Sequence, residues 1–173
     1  MENTEKKQKK VFVLSGIPGS GKSTWIRNMM NPEIDTHISR DNIRFALLND
    51  DQQYFEVEDK VKKFFFEQIE KCTNDDYNDD CVFIDATHLT PKARAQIRKH
   101  IKKRPYQIAV SFEVPLAVAL ERNRQRTGRA LVPETAIYNM RNRYERPTLK
   151  EGFDEIWHID ADGHVRKETR NYE

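Results

Sequence analysis

The sequence predicts an α/β fold: a parallel five-stranded sheet flanked by helices on both faces. Short apolar segments alternate with longer segments of helical periodicity along the whole chain. That pattern lays strands side by side, with helices as the crossovers. A second observation is the glycine distribution. Three of the six glycines, Gly16, Gly19 and Gly21, fall within six residues, directly after the first apolar run. Glycine this concentrated marks a tight turn or a close backbone approach.

The elements follow in order. Residues 1–10 are polar and lysine-rich and predict a flexible tail. Val11–Leu14 is a short apolar run stopped by glycine, a buried strand. Ser23 to Asn31 predicts a helix closed before Pro32, Asp35–Ser39 a second strand, and Asp41–Leu48 a helix. Over 56–72, Val57, Val61, Phe64, Phe65 and Ile69 share one helical stripe. The acidic, Asn-rich segment 73–80 is a loop; it lacks the ligand spacing of a calcium loop, and a solvated turn accounts for it. Cys81–Ile84 is a third strand ending at Asp85. Thr90 and Pro91 give a cap followed by proline at the first helical position, opening a helix to Lys103. Tyr106–Val114 is the fourth strand, 115–124 and 133–144 are helices, and Glu155–Ile159 is the fifth strand. No repeat or interdomain linker interrupts the 173 residues, a length that suits one domain.

Composition excludes several classes. Charged residues make up 34% of the chain against a usual ~25%, so the surface is heavily charged. No run approaches the ~18 apolar residues of a membrane span, and the N-terminus lacks the apolar core of a secretory signal. Cys72 and Cys81 have no metal-type spacing and predict reduced thiols in a cytoplasmic protein. The net charge of +2 leaves nucleic-acid binding to local clusters.

Gly16-Ile-Pro18-Gly19-Ser20-Gly21-Lys22-Ser23 fits G-x-x-x-x-G-K-[ST] without a gap, between a predicted strand and a predicted helix. Backbone amides of such a loop ring the phosphates of a nucleotide, aided by the helix N-terminus. Lys22 reaches the β/γ-phosphates and the Ser23 hydroxyl ligates Mg²⁺. The fold is therefore P-loop NTPase-like. A GTPase is excluded, because no Asn-Lys pair exists for base reading; Asp160-Ala-Asp-Gly163 is a polar turn.

Other residues allow two readings each. Asp85 ends a strand, where a carboxylate helps hold Mg²⁺ or its waters, or else it caps the following turn. Asp41 and Arg44 share a helix face: a base for an attacking hydroxyl with a phosphate-gripping arginine, or an N-cap with its ion pair. The segment 122–129 holds four arginines and no acid, a lid over transferring phosphate or a solvated face. Lys92–Arg104 holds seven Lys/Arg and no acid, a phosphate-tracking face or a solvated helix. No role attaches to His88.

The strings GIPGSGKSTW, SRDNIR, FIDATHLTPKAR and RNRQRTGRALVPE together resemble the kinase module of bacteriophage and bacterial polynucleotide 5′-kinases, within a broad group of small AAA-type P-loop kinases. The resemblance spans Val11 to Met140. It implies ATP-dependent phosphate transfer to the 5′-hydroxyl end of RNA or DNA, as in nucleic-acid repair, with Mg²⁺ as cofactor and nucleic acid as partner. By its motifs Lys22, Asp41 and Arg126 are catalytic, with Asp41 the general base. Thr24 joins the P-loop residues, and Arg122, Arg126 and Arg129 lie on the nucleotide as a helical lid. Arg44 and Asp85 face the acceptor. The D-x-D-G-T signature of the family's phosphatase domains is absent, which predicts a stand-alone kinase domain over 11–173. The wider group also phosphorylates small metabolites and modified bases, the alternative acceptors.

Overall fold

A computed structural model of the chain describes residues 8–50, 52–53, 56–74 and 79–171. Its strands are β1 (Lys10–Ser15), β2 (Asp35–Ser39), β3 (Cys81–Asp85), β4 (Tyr106–Phe112), β5 (Glu155–Ile159) and β6 (Val165–Thr169). Its α-helices are α1 (Lys22–Met29), α2 (Arg40–Leu47), α3 (Glu58–Thr73), α4 (Pro91–His100), α5 (Leu116–Arg124) and α6 (Glu134–Arg143), with single 3₁₀ turns at Gly128–Ala130 and Leu149–Glu151.

The strands form one sheet in the order β2-β3-β1-β4-β5-β6. The first five are parallel, and β6 runs antiparallel to β5. The sheet is therefore mixed and six-stranded, not parallel and five-stranded as expected. The sixth strand escaped prediction because Val165–Thr169 is charged and largely exposed, so no apolar alternation marks it. Arg166, Lys167 and Glu168 suit an edge that must resist pairing with another chain. The turn at Asp160–Gly163, read as a polar turn, brings β6 back, with Gly163 at φ +85°.

Each face of the sheet packs its own layer. Val11, Val13, Val82, Ile84, Ala109 and Ile156 meet Phe65, Ile69 and Ile97 of α3 and α4. On the other face Trp25 of α1 stands edge-on to Phe12, Phe83 and Phe112, at ring-centroid distances of 5.8–5.9 Å. Aromatic edges docked this way fix the helix that carries the P-loop's end. In α3 the buried stripe is Val61, Phe65, Ile69 and Cys72. Phe64, expected on it, lies 44% exposed, one helical step off the stripe.

Residues 1–7 of the expected tail, and 75–78 of the acidic loop, lie outside the described residues. Lys9 and Lys10, also assigned to the tail, are anchored: Lys10 opens β1, and Lys9 Nζ donates to the carbonyls of Cys72 (2.9 Å) and Asn74 (3.3 Å). Among the described residues no helix is long and apolar enough to cross a membrane. Both cysteines are free thiols, and burial pushes the Cys81 thiol up to about 11.

The basic run on α4 is a correction. Arg94 is fully buried, and the guanidinium of Arg98 lies 4.8 Å from the Phe153 ring centroid while donating to Gln107 and to the carbonyls of Glu151 and Gly152. Two of the run's seven cations are thus internal anchors, and neither a continuous phosphate-tracking face nor a fully solvated helix describes it.

Candidate active site

The loop from Gly16 to Gly21 leaves β1 and enters α1 with no side-chain cap on the helix; Gly21 occupies the N-cap at φ +96°. Uncapped first-turn amides are the groups that bind phosphate. Gly19 is required sterically. At φ +79°, a Cβ there would stand 2.2 Å from the carbonyl oxygen of Ala119 on α5. The loop is also stitched to the turn after β3, with the Gly16 amide donating to the Thr87 carbonyl (2.9 Å).

Lys22 folds under this loop and donates from Nζ to the carbonyls of Gly16 (2.8 Å) and Ile17 (3.0 Å). Burial pushes its ammonium from the ordinary 10.5 down to about 8, with Asp85 and Asp41 opposing the shift and Arg126 adding to it. Three residues from different parts of the chain therefore act electrostatically on one lysine. They are the carboxylates after β3 and in α2, and the arginine after α5. Sequence reasoning had singled out all four.

This shift has a measurable sign. The unfolded chain keeps the Lys22 proton up to about 10.5 and the folded chain loses it above about 8. The contribution of this group to stability therefore rises with pH across that window. Phosphate oxygens favour the ammonium form, so nucleotide binding should draw a proton onto Lys22 at alkaline pH. Nucleotide affinity should be level below about pH 7 and fall roughly tenfold per unit above about pH 8. Calorimetry in buffers of different ionisation heat checks this; affinity level to pH 9.5 without proton uptake would contradict it.

Asp85 is buried at the end of β3, and its Oδ2 lies 3.0 Å from Nε2 of His37 on the neighbouring β2. Ser23 is exposed in the first turn of α1. Hydroxyl and carboxylate oxygens are the hard donors Mg²⁺ takes, so the residues present fit that ion.

The cap of α2 is Ser39, whose Oγ accepts from the Asn42 amide (3.2 Å). Asp41 is thus not the cap; it is two-thirds exposed and pairs with Arg44 through Nη1. Arg44 is buried, and Glu58 at the start of α3 receives its Nε and Nη2 at 3.0–3.3 Å while also receiving Nη2 of Arg40. Glu58 was not anticipated. It lies in a stretch that sequence reading treated only as an apolar stripe, and its partners are 14 and 18 residues away.

The arginine segment divides. Nη1 of Arg122 lies 3.4 Å from where a Gly21 Cβ would stand, and its Nη2 donates to the Ala161 carbonyl (2.9 Å). Arg124 makes surface pairs with Glu134 (2.7 Å) and Glu121 (3.6 Å). Arg126 acts on Lys22. Arg129 donates to the carbonyls of Asn49 and Asp50. The expected lid is helical only in part: Arg122 and Arg124 lie in the last turn of α5, and the rest is an irregular excursion to α6 with one 3₁₀ turn. His88, given no role, is buried at φ +40°. Burial pushes its imidazole down to about 4, Nδ1 donates to the Leu14 carbonyl (2.6 Å), and Nε2 has no partner among the described residues. A cavity of about 230 Å³ opens between Ile17, Val114, Pro115 and Tyr144, and none of the predicted site residues lines it.

Residues 11–147 match the family model of the AAA domain. The chain belongs to this AAA-domain family. Solved structures with a similar fold include a chain of the Pnkp1/Rnl/Hen1 RNA repair complex, at 19% identity and TM-score 0.64 over 83% of this chain and 46% of that one. A gluconokinase from Sinorhizobium meliloti is similar at 15% identity and TM-score 0.57, over 90% and 84%. A fungal RNA kinase is similar at 20% identity and TM-score 0.57, over 95% and 76%. The chain spans about half the length of the repair-complex chain. No curated protein matches it. The fold of this AAA domain is shared with these kinase and repair-complex structures.

Proposed function

We propose that this chain transfers the γ-phosphate of ATP to the 5′-hydroxyl end of RNA or DNA. The observation that carries the reading is that a chain with Lys22 folded under its glycine loop also presents Asp41, paired with the buried Arg44, on α2. A nucleotide-binding switch needs the lysine, whereas only transfer to a hydroxyl needs a carboxylate such as Asp41 as well. In the proposed reaction Asp41 takes the proton of the acceptor hydroxyl, whose oxygen attacks the γ-phosphorus as the bond to the β-phosphate oxygen breaks and ADP leaves. Lys22 and Arg126 balance charge that develops on the phosphoryl oxygens. Arg122, beside Gly21, holds the nucleotide. Ser23 and Asp85 would hold Mg²⁺, which would neutralise phosphate charge. Arg44 supplies the acceptor-side cation, held in place by Glu58.

The RNA-related neighbours support the acceptor class. A second reading, a small-molecule hydroxyl acceptor, is favoured by the gluconokinase, which this chain matches over 84% of its length. Labelled ATP offered to 5′-OH RNA, 5′-OH DNA and a panel of sugars and nucleosides separates them. Label on oligonucleotide ends is the expected result; label on a small compound alone would overturn it.

Glu58→Gln tests the acceptor side. The amide keeps the shape but loses the charge that anchors Arg40 and Arg44. KM for the oligonucleotide should rise about tenfold, with ATP binding within about threefold of the parent. An unchanged acceptor KM would remove Glu58 from the site.

A further inference from the structure

The segment between α5 and α6 is pinned at its base and tied at its tip. Asn123 is fully buried; its Nδ2 donates to the Val132 carbonyl (2.7 Å) and its Oδ1 accepts from the Val132 amide (3.0 Å). This pairing imitates a rung between two strands and closes residues 124–131 into a loop. Within it Gly128 takes φ +58°, with no atom within 4 Å of where its Cβ would stand. That glycine serves conformation, not close packing. The next residue, Arg129, donates from Nη2 to the carbonyls of Asn49 (2.9 Å) and Asp50 (3.3 Å), about 80 residues earlier. Those carbonyls follow α2, the helix that carries Asp41. Arg126 lies between the pinned base and the tied tip.

We propose that Arg129 is a latch and Asn123 a pin, positioning residues that hold in place the loop carrying Arg126. Arg129 therefore acts through Arg126, and its guanidinium is engaged by main-chain carbonyls on the acceptor side instead of by nucleotide. Because the latch grips backbone oxygens, it does not depend on the side chains at 49 and 50. Release of the tip leaves a loop with a left-handed glycine and one anchored base, free to swing Arg126 away. Only the kinetic part of this proposal rests on the function proposed above.

The experiment follows amide hydrogen exchange of 124–131 in the full chain, with turnover and KM for ATP measured on a 5′-OH oligonucleotide. Loss of a charge-assisted hydrogen bond in Arg129→Ala should speed exchange in the loop about tenfold. Turnover should fall about five- to tenfold, with KM for ATP within about threefold. Arg129→Lys should recover part of each effect, and Asn49→Ala should exchange like the parent. Parent-like exchange in Arg129→Ala overturns the latch. Faster exchange with parental turnover overturns the positioning role. A parent that phosphorylates no oligonucleotide rejects the proposed substrate and leaves exchange to decide the latch.

Discussion

Asp41→Asn should melt like the parent and lose kinase activity by about 10²-fold or more, the lower end of what a general base contributes. Stability should hold for two structural reasons. Ser39 caps α2, so the substitution removes no cap. The pair with Arg44 involves a side chain 67% exposed, and exposed pairs contribute at most about 1 kcal/mol. Arg44 keeps its bonds to Glu58 in the variant. The amide is nearly the shape of the carboxylate but has no useful basicity toward a hydroxyl proton. ATP binding should stay within a few-fold, because the P-loop and Arg122 lie on other elements. The measurements are kcat and KM on a 5′-OH oligonucleotide beside a thermal melt. A normally melting Asp41→Asn protein with parental turnover would remove Asp41 from catalysis.

Arg94→Met should be the most damaging substitution for the fold. This guanidinium is wholly buried. It meets both carboxylate oxygens of Glu151 at 2.8 Å, and its Nη1 donates to the carbonyls of His88 (2.9 Å) and Glu145 (3.0 Å) and to Ser15 Oγ (3.3 Å). One side chain therefore joins the end of β1, the turn after β3, the segment after α6 and the second 3₁₀ turn. Methionine fills much of the volume but leaves Glu151, only 12% exposed, without its countercharge. Removing one partner of a buried pair costs about 3–5 kcal/mol, about 6–20 °C in Tm for a domain of this size. The double variant Arg94→Met/Glu151→Leu should regain part of the loss, since an apolar pair leaves no orphaned charge. A single variant melting within about 1 °C of the parent would contradict the network. Ser15 and the turn after β3 also border the P-loop, so the surviving Arg94→Met protein should bind nucleotide less tightly.

Local pattern was enough for part of this protein. Val11–Leu14 and Cys81–Ile84 fall within β1 and β3, two buried strands inside the sheet, and the glycine loop joins a strand to a helix. A strand buried on both faces needs only its own apolar residues, and a phosphate loop needs glycines and a lysine at fixed spacing. Those requirements are written within a few residues of each other. The sixth strand was not legible, because an exposed edge needs no apolar pattern; its partner strand and the Gly163 turn place it. The arginines divide on the same ground. A run such as 122–129 announces positive charge but not where each guanidinium goes. Arg122 lies by Gly21, Arg124 reaches Glu134, and Arg129 reaches carbonyls about 80 residues earlier. Arg94 looked like any cation of a basic helix until Glu151, 57 residues on, came within 2.8 Å. The sequence alone determined which chemical groups the chain carries and the local backbone that presents the P-loop. Only the tertiary structure decided which charges meet, because an ion pair depends on distance in space and on burial, and neither is encoded in the spacing of residues far apart along the chain.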